Sequence, residues 1–492
     1  MSAPFSSDTD TEVVANLISS HFEGDLLAAM RSATSELEGL YAIAVVSTES
    51  GEPEIVAARQ GPPLVFGIGD GEFFLASDPA ALLRYTKDVI FLENGDQGRM
   101  SARGLEIWDG EGKQVERPVT RLNWDPIQAE KGGYKHFMLK EIHDQPQAVQ
   151  DTFAGRVDFE QLRIDIDTLV LAPEDAARVE RVHLLACGTS WHAGLVGKFL
   201  IEELVRIPVE VDYGSEYRYR DPVVDESVLA VGISQSGETA DTLSAMETAQ
   251  ERGARLFAIC NVLGSQATRI SEGAIYTHAG PEIGVASTKA FTTQLVALYL
   301  FALYLRQQRG MGIEREHLSG LAHLPQAVTE ALQQEAAIEE MARRYFRHED
   351  FLYLGRGLNY PIALEGALKL KEISYSHAEG YPAGEMKHGP IALIDQDFPV
   401  VAIATGDRVF DKVCSNMQEV KARDGIVIAI TDRSAVAVDE TADEVIPVPN
   451  VGELLQPLVN VIPLQLLAYF IAVRRGADVD QPRNLAKSVT VE

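Results

Sequence analysis

The most informative stretch of the sequence is a hydroxyl-rich turn, Ser234-Gln-Ser-Gly-Glu-Thr239. It follows an apolar run, Val228 to Ile233, that is typical of a buried strand in a parallel sheet, and it precedes a helical pattern ending near Gly253. Free N–H groups at a helix N-terminus attract anions, and hydroxyls donate hydrogen bonds without adding charge. The turn therefore predicts a phosphate site, with an ordinary Ser/Thr helix cap as the alternative.

Two further turns with hydroxyl groups follow in the same part of the chain, Cys187-Gly-Thr-Ser190 and Val285-Ala-Ser-Thr-Lys289. In open parallel sheets, ligands bind beyond the carboxyl ends of the strands. We therefore expect the three turns to meet around one phosphorylated ligand, although each turn alone is also compatible with a cap or a tight loop.

Four ionisable residues nearer the C-terminus have types suited to sugar chemistry. Lys369 and Glu372 stand three residues apart on a predicted helix, where they form either a proton shuttle between adjacent carbons or an ordinary solvated ion pair. His388 lies in a turn bounded by Gly and Pro, which suits acid–base work, although surface histidines are common. Lys487 lies in a polar tail; it acquires a role only if the tail closes over a carbonyl substrate, with which a desolvated lysine forms a Schiff base.

The elements that must position these residues form two successive α/β units. Apolar strands alternate with helices from about residue 175, and a second series in the same order begins near residue 340. This alternation predicts two doubly wound parallel sheets, and the repeated order indicates an internal duplication. We place the first unit at 173–318, the second at 340–482 and the tail at 483–492.

The first part of the chain has a different pattern. Residues 1–125 contain two helical patterns followed by short strands separated by Gly and Asp, which predicts an α+β domain of mainly antiparallel strands. Residues 126–172 show no strand pattern and one helix, Ala148 to Phe153, so we expect a linker there.

Charge and cysteine content exclude several classes of function. The 492 residues include 73 acidic and 43 basic side chains, and the net charge of -30 disfavours nucleic acid and anionic lipid as partners. We expect no membrane span, the longest candidate being Leu295 to Leu305, and no secretory signal. Cys187, Cys260 and Cys414 form no C-x-x-C pair, which argues against a zinc site and fits a cytoplasmic protein.

Five motifs together resemble the glutamine–fructose-6-phosphate aminotransferase (isomerizing) family, and the resemblance covers nearly the whole chain. The motifs are Cys187-Gly-Thr-Ser190, Ser234-Gln-Ser-Gly-Glu-Thr-Ala-Asp-Thr242, Glu282-Ile-Gly-Val-Ala-Ser-Thr-Lys-Ala-Phe291, Ala363-Leu-Glu-Gly-Ala-Leu-Lys-Leu-Lys-Glu-Ile373 and the tail Asp480 to Glu492. The resemblance implies that the α/β units are two sugar-isomerase (SIS) domains. It also implies that residues 1–125 are part of an N-terminal-nucleophile glutaminase domain, and that the sugar site needs no cofactor and no metal.

The resemblance implies a role for each candidate residue. Sugar phosphate and hydroxyl binding would fall to Ser190, Ser234, Gln235, Ser236 and Thr239 and to the backbones of Val285 and Ala486. Lys487 would form the Schiff base with open-chain fructose 6-phosphate, Glu372 would move a proton between C1 and C2, and Lys369 would handle protons during amination. His388 would assist ring opening, in this family from the neighbouring subunit, which implies a homodimer with a shared sugar site.

One part of that family's sequence is missing from these 492 residues. The family's glutaminase domain begins with a cysteine whose free α-amine activates its thiol, followed by motifs that hold glutamine, and this sequence enters the domain only at Ser7. Asp10 matches a glutamine-binding residue but has no nucleophile to serve. We therefore expect an intact sugar site, supplied with ammonia or glutamine-derived nitrogen, and no glutamine hydrolysis by these residues.

Two other functions compete with this interpretation. One is a stand-alone phosphosugar isomerase or deaminase, and the other is a non-catalytic phosphosugar-binding sensor. The joint presence of Lys487, Glu372 and His388 counts against the sensor.

Overall fold

The computed structural model describes residues 5–47, 53–122, 124, 130–433, 438 and 440–489. The chain divides into two compact units, the larger of which comprises residues 130–262 and 266–488. The helices and strands of the smaller unit are α1 Asp10–Ser20, α2 Leu26–Thr34, β1 Tyr41–Ser47, β2 Glu54–Gln60, β3 Val65–Ile68, β4 Phe73–Ala76, β5 Asp88–Phe91, β6 Gln97–Ser101, β7 Gly104–Trp108, β8 Gln114–Val115 and β9 Thr120–Arg121.

The smaller unit is built from antiparallel sheets, as the sequence predicts. One sheet has the order β1-β2-β6-β7-β8 and the other β4-β3-β5-β9. Helix α2 begins after Asp25, whose side chain accepts hydrogen bonds from two backbone N–H groups of its first turn. Its apolar face, including Met30, packs on β2, while Phe66 and Met100 pack in a core shared by the two sheets.

The larger unit begins with connecting elements and a first α/β series. Its elements up to residue 345 are α3 Phe137–His143, α4 Gln145–Phe153, β10 Val157–Asp158, β11 Arg163–Ile164, α5 Pro173–Arg178, β12 Arg181–Ala186, α6 Gly188–Leu204, β13 Val209–Tyr213, α7 Gly214–Tyr217, β14 Val228–Ser234, α8 Ala240–Glu251, β15 Arg255–Cys260, α9 Gln266–Ile270, β16 Gly273–Tyr276, α10 Lys289–Gln308, α11 Arg315–Leu332 and α12 Glu335–Tyr345. The second series consists of β17 Asp350–Gly355, α13 Asn359–Ser374, β18 His377–Pro382, β19 Pro399–Ile403, α14 Phe410–Lys421, β20 Ile426–Thr431, β21 Glu444–Pro447 and α15 Gln456–Arg475.

Two five-stranded parallel sheets organise this unit. Their orders, β13-β12-β14-β15-β16 and β18-β17-β19-β20-β21, follow the same chain order of 2-1-3-4-5. The predictions of doubly wound sheets and of an internal duplication are therefore confirmed. In such a sheet the direction in which successive strands are added reverses between the first and third strands, here β12 and β14, and this opens a crevice at their carboxyl ends.

The closing helices of the two series, α10 and α15, lie in the interior of the unit. Side chains from both sheets and from both helices share one hydrophobic cluster. By length and composition alone, α15 is apolar enough to cross a membrane. A helix that is apolar on all sides is also what the core of a protein requires. In its most apolar stretch 94% of the residues are buried inside the protein, as expected of a core helix.

The stretch between the two predicted domains packs against the main core. Met138, Ile142 and Val149 on α3 and α4 are completely buried and belong to the large hydrophobic cluster. Strands β10 and β11 pair as a short antiparallel hairpin, so the prediction that this stretch contains no strand is wrong. Strands of two residues are too short to show the alternation from which strands are predicted. The proposed domain boundaries themselves stay predictions.

Candidate active site

The hydroxyl-rich turn connects β14 to α8 as predicted. Gly237 has a φ of +69°, a left-handed value that favours glycine, and its N–H donates to Ser234 Oγ at 3.0 Å. Ser234 Oγ also lies 3.1 Å from Thr239 Oγ1, and Ser236 Oγ accepts from Glu238 N at 3.2 Å. Thr239 occupies the N-cap position of α8, yet its side chain makes no capping hydrogen bond. The helix-cap alternative is therefore wrong for this threonine.

A second predicted turn lies at the same edge of the sheet. Ser190 is in the first turn of α6, directly after β12, and β12 pairs with β14. Gln294 Nε2 of α10 donates to Ser190 Oγ at 2.9 Å. This bond connects the serine to the helix that follows the third predicted turn, Val285 to Lys289. The backbone carbonyl of Gln235 accepts from Asn261 N at 3.1 Å, and the residue is half-buried.

The C-terminal tail folds back onto this edge. Ser488 Oγ lies 2.9 Å from Ser236 Oγ, and Lys487 Nζ donates to Glu282 Oε2 at 2.5 Å and to the Gly284 carbonyl at 2.8 Å. The tail has no helix or strand among its described residues, so side-chain and backbone contacts such as these hold it in place. Residues 490–492 of the tail motif lie outside the described residues.

The two residues assigned through their backbones are Val285, which follows Gly284, and Ala486, which precedes Lys487. The N–H of Val285 donates to the Asp480 carbonyl at 3.0 Å, which joins the 282–285 segment to the start of the tail. Ala486, beside the lysine, is exposed. Val285 is thus joined to the tail by its N–H, and Ala486 is known here by its exposure and its place before Lys487.

Glu282 is the counter-ion of Lys487, a role that sequence reasoning missed. It is buried and accepts hydrogen bonds from the N–H groups of Thr288 and Ala290 at the start of α10. Burial raises the pKa of the Glu282 carboxyl, but Lys487 and these hydrogen bonds outweigh burial and lower the pKa to about 2. An ionised carboxylate therefore holds the lysine ammonium beside the crevice.

Lys369 is completely buried, so the solvated-pair alternative is wrong. Its Nζ lies 2.6 Å from Glu372 Oε2 and 3.4 Å from Glu365 Oε1, and it donates to Thr189 Oγ1 at 3.1 Å. Burial lowers the pKa of Lys369, but the two carboxylates outweigh burial and hold the pKa above its usual value. The surroundings of Lys369 therefore favour its ammonium form, which lies against the Glu372 carboxylate.

Glu365 and His192 complete this buried group, and sequence reasoning missed both. Glu365 Oε2 lies 2.7 Å from His192 Nδ1, and Glu365 Oε1 accepts from Thr189 Oγ1 at 3.1 Å. Thr189 and His192 belong to α6 and Glu365 to α13, so the group joins the two α/β halves. The four-residue spacing of Glu365 and Lys369 was visible in the sequence, but the pairing with His192 was not.

Two predicted residues lie apart from this group. His388 ends a short 3-10 helix, Ala383–His388, and its exposed side chain makes no hydrogen bond or ion pair in the part of the chain that the structure describes. Asp10 is an exposed residue at the start of α1 in the smaller unit. No group of three or more His, Cys, Asp or Glu side chains among the described residues is arranged to hold a metal ion.

Replacing Lys369 by methionine is expected to lower the free energy of unfolding by about 3–5 kcal/mol, because one partner of a buried charge group is removed while Glu365 stays buried. Urea unfolding measures this change. The matched control is Lys371→Met on the same helix, where the exposed side chain predicts a change within about 0.5 kcal/mol. Equal losses in the two variants would contradict a buried charge group.

Comparison with known proteins identifies the family of the chain. The SIS domain family model matches residues 177–304 and 346–474. The glutamine–fructose-6-phosphate aminotransferase [isomerizing] of Thermus thermophilus is 52% identical over 491 residues, which is 99% of this chain and 80% of the relative. The protein of the same name from Methanosarcina acetivorans is 48% identical over 501 residues, 99% of this chain and 81% of the relative. The chain belongs to the glutamine–fructose-6-phosphate aminotransferase (isomerizing) family.

Two solved structures are similar in fold to about 72% of this chain. The C-terminal domain of the glucosamine-fructose-6-phosphate aminotransferase from Francisella tularensis matches with a TM-score of 0.68 and 43% identity, covering 72% of this chain and all of that one. A glucosamine-6-phosphate deaminase from Thermotoga maritima, with a TM-score of 0.57, covers 72% of this chain and 99% of its own; at 22% identity it shows the fold alone. As a member of the aminotransferase family, the chain is an enzyme whose two SIS domains form an α/β fold.

Proposed function

We propose that the sugar site of this chain converts fructose 6-phosphate into glucosamine 6-phosphate, with ammonia as the immediate nitrogen donor. The observation that carries the proposal is the closure of the tail. Lys487 is held by Glu282, while its neighbour Ser488 contacts Ser236 of the hydroxyl-rich turn. A lysine beside a turn suited to phosphate fits a substrate that carries both a phosphate and a carbonyl group.

In this proposal the phosphate binds at the N-terminus of α8. A net charge of -30 repels an anionic substrate, so the site must offer local donors. The free amides of the helix start and a group of hydroxyl and amide side chains supply them. These side chains are Ser190, Ser234, Gln235, Ser236 and Thr239, with the backbones of Val285 and Ala486 beside them.

Lys487 opens the reaction by attacking the C2 carbonyl of the open-chain sugar. After Nζ has lost its proton, it forms a bond to C2, and the carbonyl oxygen leaves as water. Ammonia then adds to the resulting imine carbon and the lysine amine departs, so the nitrogen of ammonia stays on C2 as a new imine. Lys369, close to Glu372 at 2.6 Å, would exchange protons during this amination.

Glu372 then isomerises the aminated sugar. Its carboxylate removes a proton from C1 and delivers it to C2, while the C1 hydroxyl proton passes to the imine nitrogen. The C2 imine thereby becomes an amine and the C1 hydroxyl carbon becomes an aldehyde. The Lys369 ammonium keeps the carboxylate in one orientation. A fixed carboxylate that reaches two adjacent carbons is what such a transfer requires.

His388 would assist ring opening in a second copy of the chain. The exposed side chain at the end of its 3-10 helix supports this role, because it is available to another subunit. The active form is then a cytoplasmic homodimer with a shared sugar site. In the smaller unit, Asp10 would be a glutamine-binding remnant of the glutaminase domain.

Product analysis on a polypeptide of these 492 residues tests the proposal. With fructose 6-phosphate and ammonium we expect glucosamine 6-phosphate, with no nitrogen source glucose 6-phosphate, and with glutamine no amination. Amination by glutamine would contradict the absence of a nucleophile. Binding of fructose 6-phosphate without any turnover would overturn the proposal in favour of a sensor.

Thr239→Val is expected to raise KM for fructose 6-phosphate by about ten- to a hundredfold, since a hydrogen bond to a charged group contributes about 1.5–3 kcal/mol. The melting temperature should fall only slightly, because the Thr239 side chain does not cap α8 and the variant loses one hydrogen bond, that to Ser234 Oγ. The control is Thr248→Val on the same helix, whose hydroxyl bonds the Ser244 carbonyl at 2.8 Å. An equal KM in the two variants would contradict phosphate binding by Thr239.

A further inference from the structure

Glu141 on α3 is a buried carboxylate that the proposed reaction does not use. Its side chain is 1% exposed, and its Oε1 accepts from the N–H groups of Ile283 at 2.5 Å and Gly284 at 3.2 Å. The other oxygen, Oε2, is buried and has no hydrogen-bond partner within the described part of the chain. A buried carboxylate oxygen without a donor is costly, so its retention needs an explanation.

Glu141 is connected to Lys487 through the segment that it holds. Lys487 Nζ donates to Glu282 Oε2 and to the carbonyl of Gly284, and Gly284 is also the residue whose N–H Glu141 accepts. The two oxygens that hold the lysine therefore belong to a four-residue segment, Glu282 to Val285, that is anchored to α3 by one carboxylate.

The start of the tail is bound to the N-terminus of α3. The Asp480 carboxylate accepts from the N–H groups of Phe137 and Met138 at 3.0 and 2.9 Å, at the N-terminus of α3. Its backbone carbonyl accepts from Val285 N at 3.0 Å. Helix α3, the 282–285 segment and the tail thus form a closed ring, and Lys487 is the tail residue that completes it.

We propose that Glu141 is a positioning residue for Lys487, which orders the 282–285 segment against α3 and whose ionisation sets how firmly that segment holds the lysine. The inference rests on the proposed function, because it requires Lys487 to be the residue that forms the imine. It gives helix α3 a role in positioning Lys487 besides its packing against the main core.

Three charged groups from three different elements face Glu141. They are Glu282 on the anchored segment, Lys487 on the tail and Lys289 at the start of α10. Burial and the Glu282 carboxylate raise the pKa of Glu141 to about 7, against the opposing effect of the two lysines and of the Ile283 hydrogen bond. Above neutral pH the carboxylate makes charge-assisted bonds to the two amides, and below it the neutral acid holds them less firmly.

The test uses Glu141→Gln, which keeps one oxygen as an acceptor but cannot ionise, beside Glu174→Gln, an exposed glutamate on α5, as the matched control. Fructose 6-phosphate is trapped on the protein with cyanoborohydride. The reagent adds a hydride to C2 of the imine, so the protein gains the mass of the sugar phosphate less one oxygen. At pH 8 we expect the Gln variant to be trapped about tenfold more slowly than wild type, as misplacement of a reacting group predicts.

The pH profile separates positioning from a purely structural role. In wild type the trapping rate should fall as the pH drops through about 7, where Glu141 takes up its proton. In Glu141→Gln the inflection near pH 7 should disappear, whereas the loss of the proton from Lys487 Nζ affects the rate of both proteins alike. A second variant, Gly284→Ala, tests the same contact from the other side, because an added Cβ would lie 2.9 Å from Glu141 Oε2. Hydrogen exchange at the amides of Ile283 and Gly284 should be faster in both variants and unchanged in the control.

The outcomes distinguish this inference from the proposed function. If wild type gives no adduct at any pH, the imine step of the proposed function is wrong. If wild type gives the adduct and Glu141→Gln shows the same rate and the same pH profile, the role of Glu141 is overturned. A slower Gln variant with the wild-type pH profile would overturn it equally, because the trapping rate would then not depend on the ionisation of Glu141.

Discussion

Replacing Lys487 by arginine is expected to reduce the formation of glucosamine 6-phosphate at least about a thousandfold, within the range that loss of an essential nucleophile produces. Arginine keeps a positive charge opposite Glu282, so the ion pair that holds the tail is preserved. A guanidinium does not lose its proton in a protein and cannot attack a carbonyl. The variant therefore removes the nucleophile while retaining the charge.

Three measurements on Lys487→Arg separate chemistry from folding. Product formation and cyanoborohydride trapping should both be lost, whereas calorimetry should still detect binding of fructose 6-phosphate through the Ser234–Thr239 turn. Lys371→Arg, on the exposed face of α13, is the control and should behave as wild type. An arginine variant that still forms the covalent adduct would show that another amine attacks the sugar.

The strand, hydroxyl-rich turn and helix around Ser234–Thr239 were predictable because the pattern that indicates them is local. An apolar strand, a hydroxyl-rich turn and a helical pattern follow one another within Val228 to Gly253, and β14, the turn and α8 appear in that order. The alternation of strands and helices also predicted the parallel sheets. The order 2-1-3-4-5 was not predictable in this way, because it depends on pairing between strands that are distant in the chain.

Several elements were missed because they depart from the usual patterns. Strand β18 ends at Pro382 and contains Gly380, two residues that are disfavoured inside strands but tolerated at the edge of a sheet, where β18 lies. Helix α11 contains Pro325, which normally ends or kinks a helix. Packing of the apolar face of α11, including Leu321 and Leu324, outweighs this local preference.

The charged partners in the site were the least predictable feature. Lys487 and Glu282 are 205 residues apart, and His192 and Glu365 are 173 residues apart, so no local spacing links them. Lys369 and Glu372 do form a pair, as their spacing predicts. Whether that pair is solvated or buried depends on how α13 packs against its neighbours, which the spacing does not show. Residue type and spacing therefore selected the candidate residues, while the fold showed which groups hold them.

Replacing Glu372 by glutamine is expected to lower kcat about 10²–10⁴-fold, the contribution typical of a positioned acid–base group. Glutamine has nearly the same shape but cannot accept the proton from C1. Because Lys487 is unchanged, cyanoborohydride trapping of fructose 6-phosphate should be retained. Exchange of the C1 hydrogen with deuterium oxide should be lost, which places the defect after imine formation. Glu349→Gln, an exposed glutamate before β17, is the control.

Glu372→Asp separates the position of the carboxylate from its charge. Aspartate keeps the negative charge near Lys369 but withdraws the carboxyl by one methylene from its place 2.6 Å from Nζ. Because proton transfer needs hydrogen-bond reach in the reacting geometry, we expect this variant to exchange the C1 hydrogen slowly, between wild type and Glu372→Gln. Exchange at the wild-type rate in Glu372→Gln would mean that another base removes the C1 proton. Glu365, fully buried and held by His192 and Thr189, would be the next candidate to test.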